Sequence, residues 1–434
     1  MDKPLLRDFT KYVSLNILGM IGISCYILAD TYFIAKSLGA TGITALNLSI
    51  SIYSVIHGIG MMIGIGGASR FSILKSQKMD KKANEVFSTS VKFGVIVGII
   101  FSMIGIFGSK YLALALGADL STLGLTKTYL ATILIFAPFF ILNNIMIAFV
   151  RNDNNPNLSM IAMLLGSFLN IILDYVFIFP FKMGMFGAAF ATSIAPIISI
   201  SILLFHFSDK KDVFKLLKYK LEWNLIPDIC SLGLSALVIE ISSAVVLITF
   251  NLVILKLEGN VGVAAYGIVA NLALVGIAIF TGLAQGIQPL TSKYHGLGDY
   301  EISGKVCRYA LITSTLIATI MYLGISLHSN QIIAIFNSEN NIAIREIADI
   351  GFKIYFLGFF FVGINIVISM FLSATENAKS AFLITVARGF IVIIPLVLLL
   401  SKFFDMIGVW SAFVVTELIV TILGIYLMLR RKTY

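Results

Sequence analysis

Charge is scarce in this chain of 434 residues: Asp, Glu, Lys and Arg together make up 12%, about half of the roughly 25% usual in a soluble domain. Cysteine is scarcer still, at three residues. Cys25, Cys230 and Cys307 lie apart, in or beside apolar stretches, with no CxxC or Cys/His spacing that would hold zinc, so they read as buried small hydrophobes. Neither an HExxH motif nor a nucleophile with a neighbouring base is present, which argues against a membrane-embedded enzyme. The four histidines are dispersed, and only His57 lies deep in an apolar run, where packing is its expected role.

What is abundant is apolar sequence. Hydrophobic residues make up 59% of the chain and the mean hydropathy is +0.98. Stretches about as long as the roughly 20 residues needed to cross the hydrocarbon recur from residue 12 to residue 429. Twelve spans are expected, near 12–35, 45–70, 91–116, 127–150, 159–180, 185–207, 229–256, 263–290, 308–328, 345–373, 381–402 and 406–429. The charged amino end, MDKPLLRDFTKY, runs into the first span without a small-residue cleavage site, so that span is expected to remain as an anchor. With both termini cytoplasmic, 23 of the 31 Lys and Arg fall on the inner side and 8 on the outer, as the positive-inside rule requires. The net charge of +9 then reads as inner loops facing anionic lipid, with no nucleic-acid partner needed. The expected location is the cell membrane.

An internal repeat sets the architecture. Residues 40–80 slide onto 259–299 at an offset of 219, pairing Ala45 with Ala264, Gly67 with Gly286 and Asp80 with Asp299. Residues 151–166 match 374–389 at an offset of 223. Six spans per half put both halves in the membrane the same way up, related by an axis along its normal, with a cavity between two lobes. The expected division is an amino lobe (1–208), a cytoplasmic linker (209–228) that forms a short interfacial amphipathic helix, and a carboxyl lobe (229–434). Gly60 with Gly64, and Gly94 with Gly98, read as close helix contacts. Pro138, Pro180, Pro196 and Pro395 read as kink positions, and Arg70 and Arg388 as cations snorkelling near inner helix ends.

Against this background the run LGSFLNIILDYVFIF (165–179) stands out, because it carries a carboxylate. At offset 223 Asn170 pairs with Ile393 and Asp174 with Val397, so the duplicated scaffold carries the polar pair in one half only. Asn170 and Asp174 are four residues apart and share one helix face. A second acid, Asp30, lies in span 1. Helix rise puts Asp30 and Asp174 each about 9 Å below the outer ends of their spans, with Thr192 of span 6 within a turn of that level. An ionised carboxylate at such a depth costs several kcal/mol unless paired or hydrated. Four converging oxygen-bearing side chains therefore suit a proton or a sodium ion, and the bland alternative is a neutral Asp174 that glues helices through Asn170. Glu240 and Glu417 lie near mid-bilayer in spans 7 and 12. Facing the cavity, they would attract a lipophilic cation alongside aromatic and Met side chains; otherwise they are protonated packing residues.

The stretches LADTYFIAKSLG (28–39), RNDNNPNLSMIAMLLGSFLNIILDYVFIF (151–179), MGMFGAAFATSIA (183–195) and GLAQGIQPLTSKYHGLGD (282–299) resemble the prokaryotic multidrug and toxic compound extrusion (MATE) transporters, over essentially the whole chain. The resemblance implies an all-α integral membrane protein with twelve transmembrane helices in a V of two six-helix lobes. It implies export of organic cations in exchange for protons or sodium ions, with no other cofactor, by a protein taken to be a monomer. The family's amino-lobe ion site falls here on Asp30, Asn170, Asp174 and Thr192, and Glu240 occupies a seventh-span acid position seen in part of the family. Tyr175 stands after Asp174 where such proteins often carry Pro. A related flippase of lipid-linked sugars is the alternative transporter, but it would favour a groove rich in Arg and Lys, and the deep residues here are acidic.

Overall fold

The computed structural model describes residues 3–208, 214–215, 221–337 and 341–430. Eight helices are long and apolar enough to cross a membrane, and a ninth candidate is a pair, Leu123–Ile135 and Ala137–Asn152, bent by 50°. Three of the eight are each two spans in one. A straight helix of the 74 residues Lys3–Ser76 would be about 110 Å long, far beyond a hydrocarbon core of about 30 Å. It reverses at Gly39 (φ 62°, ψ −153°), so that Tyr26 and Tyr53, on either side of the turn, bring their hydroxyls within 3.0 Å. Ile226–Gly296 reverses at Gly259 (φ 60°, ψ −151°), where Phe250 and Tyr266 stack across the turn. Ile393–Leu429 reverses at Phe404 and Asp405. Nine candidates with three reversals make twelve spans among the described residues.

Gly39 and Gly259 sit in a backbone region that is essentially closed to residues with a Cβ. They are 220 residues apart, and other backbone markers keep that spacing: the positive φ of Lys78 and Gly298, and the caps Met79 and Asp299. In the later segment the spacing is 222, from the positive φ of Asn154 and Glu376 and the helix starts Pro156 and Ala378. The repeat is real, and the letter matches misplace it by one residue each way. Pairing Asp80 with Asp299 follows identity, whereas the backbone puts Met79 at the capping position. Asn170 and Asp174 then correspond to Val392 and Leu396, still apolar, so the one-sidedness of the polar pair stands.

Two large apolar cores follow the halves, with one exchange. The first gathers residues from 34 to 214 together with Ile229, and the second gathers residues from 250 to 413 together with Leu5, Phe9, Tyr12 and Val13. The start of span 1 thus packs in the second core, and the start of span 7 in the first. Glycine permits both crossings. A Cβ at Gly66 would meet the Ile229 carbonyl and Gly233, and one at Gly286 would meet Val13 and the Tyr12 carbonyl. At offset 220 Gly66 becomes Gly286 and Val13 becomes Gly233, so the two crossings are one contact repeated. They close the face that carries both termini.

Within the first half, span 4 is gripped by glycines as expected. A Cβ at Gly60 or Gly64 of span 2 would meet Asn144, and one at Gly94 or Gly98 of span 3 would meet Ile145 or Pro138. Pro138 marks the 50° bend, but Pro196 lies inside an unbroken span 6 (Gly184–Leu203). With Tyr175 after Asp174, span 5 runs unbroken from Pro156 to Ile178. In the expected amphipathic linker, 209–213 and 216–220 lie outside the described residues. Phe214 is buried against Phe87, ring centroids 4.3 Å apart. Of the cysteines only Cys307 is buried; Cys25 is exposed and Cys230 is partly so, because both lie on span faces turned away from the cores.

Candidate functional site

Spans 1, 5 and 6 bring the four predicted oxygen-bearing residues together in the first half. Span 5 starts cleanly, with Pro156 in its first turn and the Asn155 side chain accepting from the Leu158 N–H. Its small contacts draw span 1 in, since a Cβ at Gly19 or Gly22 would meet Met163 or Leu164. Asn170 and Asp174 are fully buried, and Asp30 and Thr192 nearly so. With its amide turned to satisfy both neighbours, Asn170 donates to Asp174 Oδ2 (3.1 Å) and accepts from the Thr192 N–H (3.2 Å). Asp30 lies within electrostatic reach of Asp174, and Tyr129 of span 4 closes in on Asp30, Asp174 and Thr192. One oxygen each of Asp30 and Asp174, and the Thr192 hydroxyl, find no partner within the protein. Buried oxygens are rarely left so, and two carboxylates with a hydroxyl are hard ligands of the kind a proton or a small cation satisfies. Among the described residues no cluster of His, Cys, Asp and Glu would hold a transition metal.

Beside this cluster lies a cavity of about 70 Å³, lined by Tyr26, Tyr53, His57, Asn143, Ser167 and Thr192 among others. It has room for a few waters, and Asn143 Oδ1 and Ser199 Oγ at its wall lack protein partners.

The second-half acids separate. Glu240 stays partly exposed, with His57 Nδ1 3.6 Å from its Oε2. His57 is thus a partner for an acid as well as a packing residue. Glu417 is not at the cavity. It is buried within the second half, where it accepts from Arg388 Nε (2.6 Å) and Asn365 Nδ2 (2.7 Å), so its charge is already answered and it has none to offer a substrate. Arg388 correspondingly does not snorkel. It sits in the π-turn Ala387–Ile391, which directs it inward to Glu417.

A third group of polar residues escaped the sequence reading. On the terminal face Arg151, 1% exposed, donates to Asn16 Oδ1 (2.7 Å) and Gln285 Oε1 (2.8 Å). Asn152 and Gln288 bond each other, and Gln288 also donates to Ser69 Oγ (2.9 Å). These bonds tie the halves together. Gln285 and Gln288, three residues apart on one face of an apolar span, were the available signal.

At the rim of that face each half carries one acid with two basic partners. Asp153 pairs with Lys75 and His206, and Glu376 pairs with Arg70 and His295, so Arg70 bridges to the other half and His206 and His295 have partners. Burial opposes it, yet hydrogen bonds from His206 and Lys75 hold the Asp153 carboxyl below its usual range. The hydrogen bond from His295, with Arg70 alongside, does the same for Glu376. A depressed folded value means that the stabilisation is complete above the ordinary values of 3.8 and 4.5 and lost as pH falls through the lowered ones. Thermal melts are expected to fall steeply below about pH 4.5 in wild type, and Asp153→Asn with Glu376→Gln should lower the melting temperature by a few degrees at neutral pH and flatten that acid limb.

A sequence profile of the MatE family matches residues 16–176 and 236–399, one segment in each half. Multidrug export protein MepA of Staphylococcus saprophyticus subsp. saprophyticus is 30% identical over 413 residues, covering 94% of this chain and 90% of the relative. Multidrug export protein MepA of Staphylococcus aureus (strain MRSA252) is 28% identical over 437 residues, covering 99% and 95%. Among solved structures, a multidrug resistance MATE family transporter of the MOP superfamily in an outward-facing conformation superposes with a TM-score of 0.92 at 21% identity, over 98% of this chain and 95% of that one. A MOP superfamily transporter from Pyrococcus furiosus superposes at 0.89 and 22% identity, over 98% and 97%. At such identities the structural likeness speaks for the fold.

Proposed function

The chain belongs to the MATE family of multidrug efflux transporters, and from that premise we propose that it is an antiporter exporting amphipathic organic cations in exchange for protons or sodium ions. The observation that carries the reading is the set of unpartnered buried oxygens of Asp30, Asp174 and Thr192, steadied by Asn170 in one half alone. Such a cluster loads an ion when it is open to the ion's side and releases it when exposed to the other.

In this reading both termini are cytoplasmic, in the cell membrane of the bacterium or archaeon, and the closed terminal face makes this the outward-open state. An ion entering from outside neutralises the Asp30 and Asp174 charges, alters the packing of span 1 and expels the bound cation. The lobes then rock, release the ion inside and take up new substrate at Glu240. Exchange requires the two ligands to oppose each other, because a ligand shifts a conformational equilibrium only through its differential affinity. Ethidium efflux from proteoliposomes, with a proton or a sodium gradient imposed separately, is the test. One gradient alone should drive efflux; ethidium movement that ignores both, in preparations shown to bind the dye, would remove the antiport assignment.

A further inference from the structure

Glu240 has company at the boundary between the halves. His57 of span 2 and Glu240 of span 7 come from different halves, with Nδ1 3.6 Å from Oε2. The approach is close because the residue after His57 is Gly58, where a Cβ would meet Leu237 and the Glu240 Cβ. The imidazole is steadied from its own helix by stacking on Tyr53, centroids 5.9 Å apart. Tyr53 in turn shares a hydrogen bond of 3.0 Å with Tyr26 of span 1, which lies near Asp30. Neither member of the pair is sealed: the side chains are 22% and 32% exposed.

An imidazole is a cation only when protonated, and it changes state within the physiological range. A half-buried carboxylate satisfied by one adjacent cation gains little from a second and repels none, so two cations compete for it. We infer that His57 is a resident counter-cation for Glu240: protonated, it occupies the carboxylate and excludes an organic cation, and neutral, it leaves Glu240 free to bind one. This rests on Glu240 being the acid that meets the substrate. Proton on His57 and substrate on Glu240 are then mutually exclusive, and by reciprocity each weakens the other. The protein so gains a second place where protons oppose substrate, apart from the Asp30 and Asp174 cluster and on the substrate's own ligand.

The titratable group that meets this pair is Tyr53, on the same helix as His57; Tyr26 and Asp30 of span 1 lie next to Tyr53, and Tyr129 of span 4 and Asp174 of span 5 lie beyond them. Because these acids also respond to pH, the test alters His57 and leaves them in place. Tetraphenylphosphonium binding is measured on the full chain in lipid nanodiscs, without any gradient, at about pH 5.5 and about pH 8. Wild type is expected to bind about tenfold more weakly at the acid pH. His57→Gln should carry at acid pH the affinity that wild type reaches only at alkaline pH, and His57→Asn serves where Gln disturbs folding. His57→Lys, charged throughout, should bind weakly at both. A wild-type pH profile in both His57→Gln and His57→Asn overturns the inference and leaves Glu240 as the substrate acid. Absence of tetraphenylphosphonium binding to wild type at either pH overturns both together, so the two failures are told apart.

Discussion

Asp174→Asn is expected to cut gradient-driven ethidium efflux in proteoliposomes by on the order of 10–100-fold, the span of typical coupling energies between two ligands. The substitution nearly preserves shape, and its amide oxygen can still accept from Asn170 as Asp174 Oδ2 does at 3.1 Å. Folding should therefore survive, and the melting temperature should hold or rise, since a costly buried carboxylate has been removed. Only the capacity to gain and lose a charge disappears. Asp30→Asn should behave alike, because Asp30 also carries an unpartnered buried oxygen in the same cluster. The glue reading of Asp174 forecasts the opposite: an amide would hold the helices as well as a neutral acid does, and transport would continue. Parallel flux and melting measurements on both variants separate these outcomes. Intact gradient-driven efflux in Asp174→Asn would falsify the coupling role.

The second large effect is expected at the other end of the membrane. Arg151→Met should open the terminal face, because it leaves Asn16 Oδ1 and Gln285 Oε1 without the donor that now joins them. Each buried acceptor left bare costs about 1–3 kcal/mol, and both lie on the seam between the halves. A cysteine placed at Ser72, whose hydroxyl faces the Pro289 carbonyl across that seam, should label about tenfold or more faster in the Arg151→Met background. Lys at 151 should restore closure to the extent that its ammonium takes the place of Nη1, the one nitrogen that serves both acceptors. Unchanged labelling with unchanged melting would mean that helix packing alone keeps this face shut.

The span count and the half-by-half organisation were legible because hydropathy reports lipid contact directly. The three reversals made without a loop of any length, among the described residues, were less so: Gly39 and Gly259 announce themselves only through a backbone conformation, and Asp405 does it with no glycine at all. The gathering of Asp30, Asn170, Asp174 and Thr192 was legible because a carboxylate in an apolar run is costly wherever it lies, and matched depth could be counted along a helix. Depth does not reveal direction, however. Glu417 and Glu240 are both acids far from the helix ends, and what separates them is the face each presents, Glu417 to Arg388 and Asn365, Glu240 to His57. Arg151 was hidden for the opposite reason, since a cation at a helix end looks like any other member of a cytoplasmic loop until its neighbours are known. The register of the repeat slipped because weak identity rewards matching letters, while the fold repeats turns and caps.

The exchange of span beginnings between the two cores bears on how the protein is made. Phe9 leaves the ribosome long before its ring partner Tyr309, which lies 5.7 Å away on span 9, and the glycine that receives Val13 is Gly286. Span 1 must therefore wait in the membrane, its opening turns unpaired, through the synthesis of most of the chain. Final closure of the terminal face is a late event in biogenesis, and a ribosome that stalls before span 8 leaves a first half whose leading end has nothing to hold. Two halves made as separate polypeptides would meet with a ready-made handshake, each contributing its first helix to the other's interior.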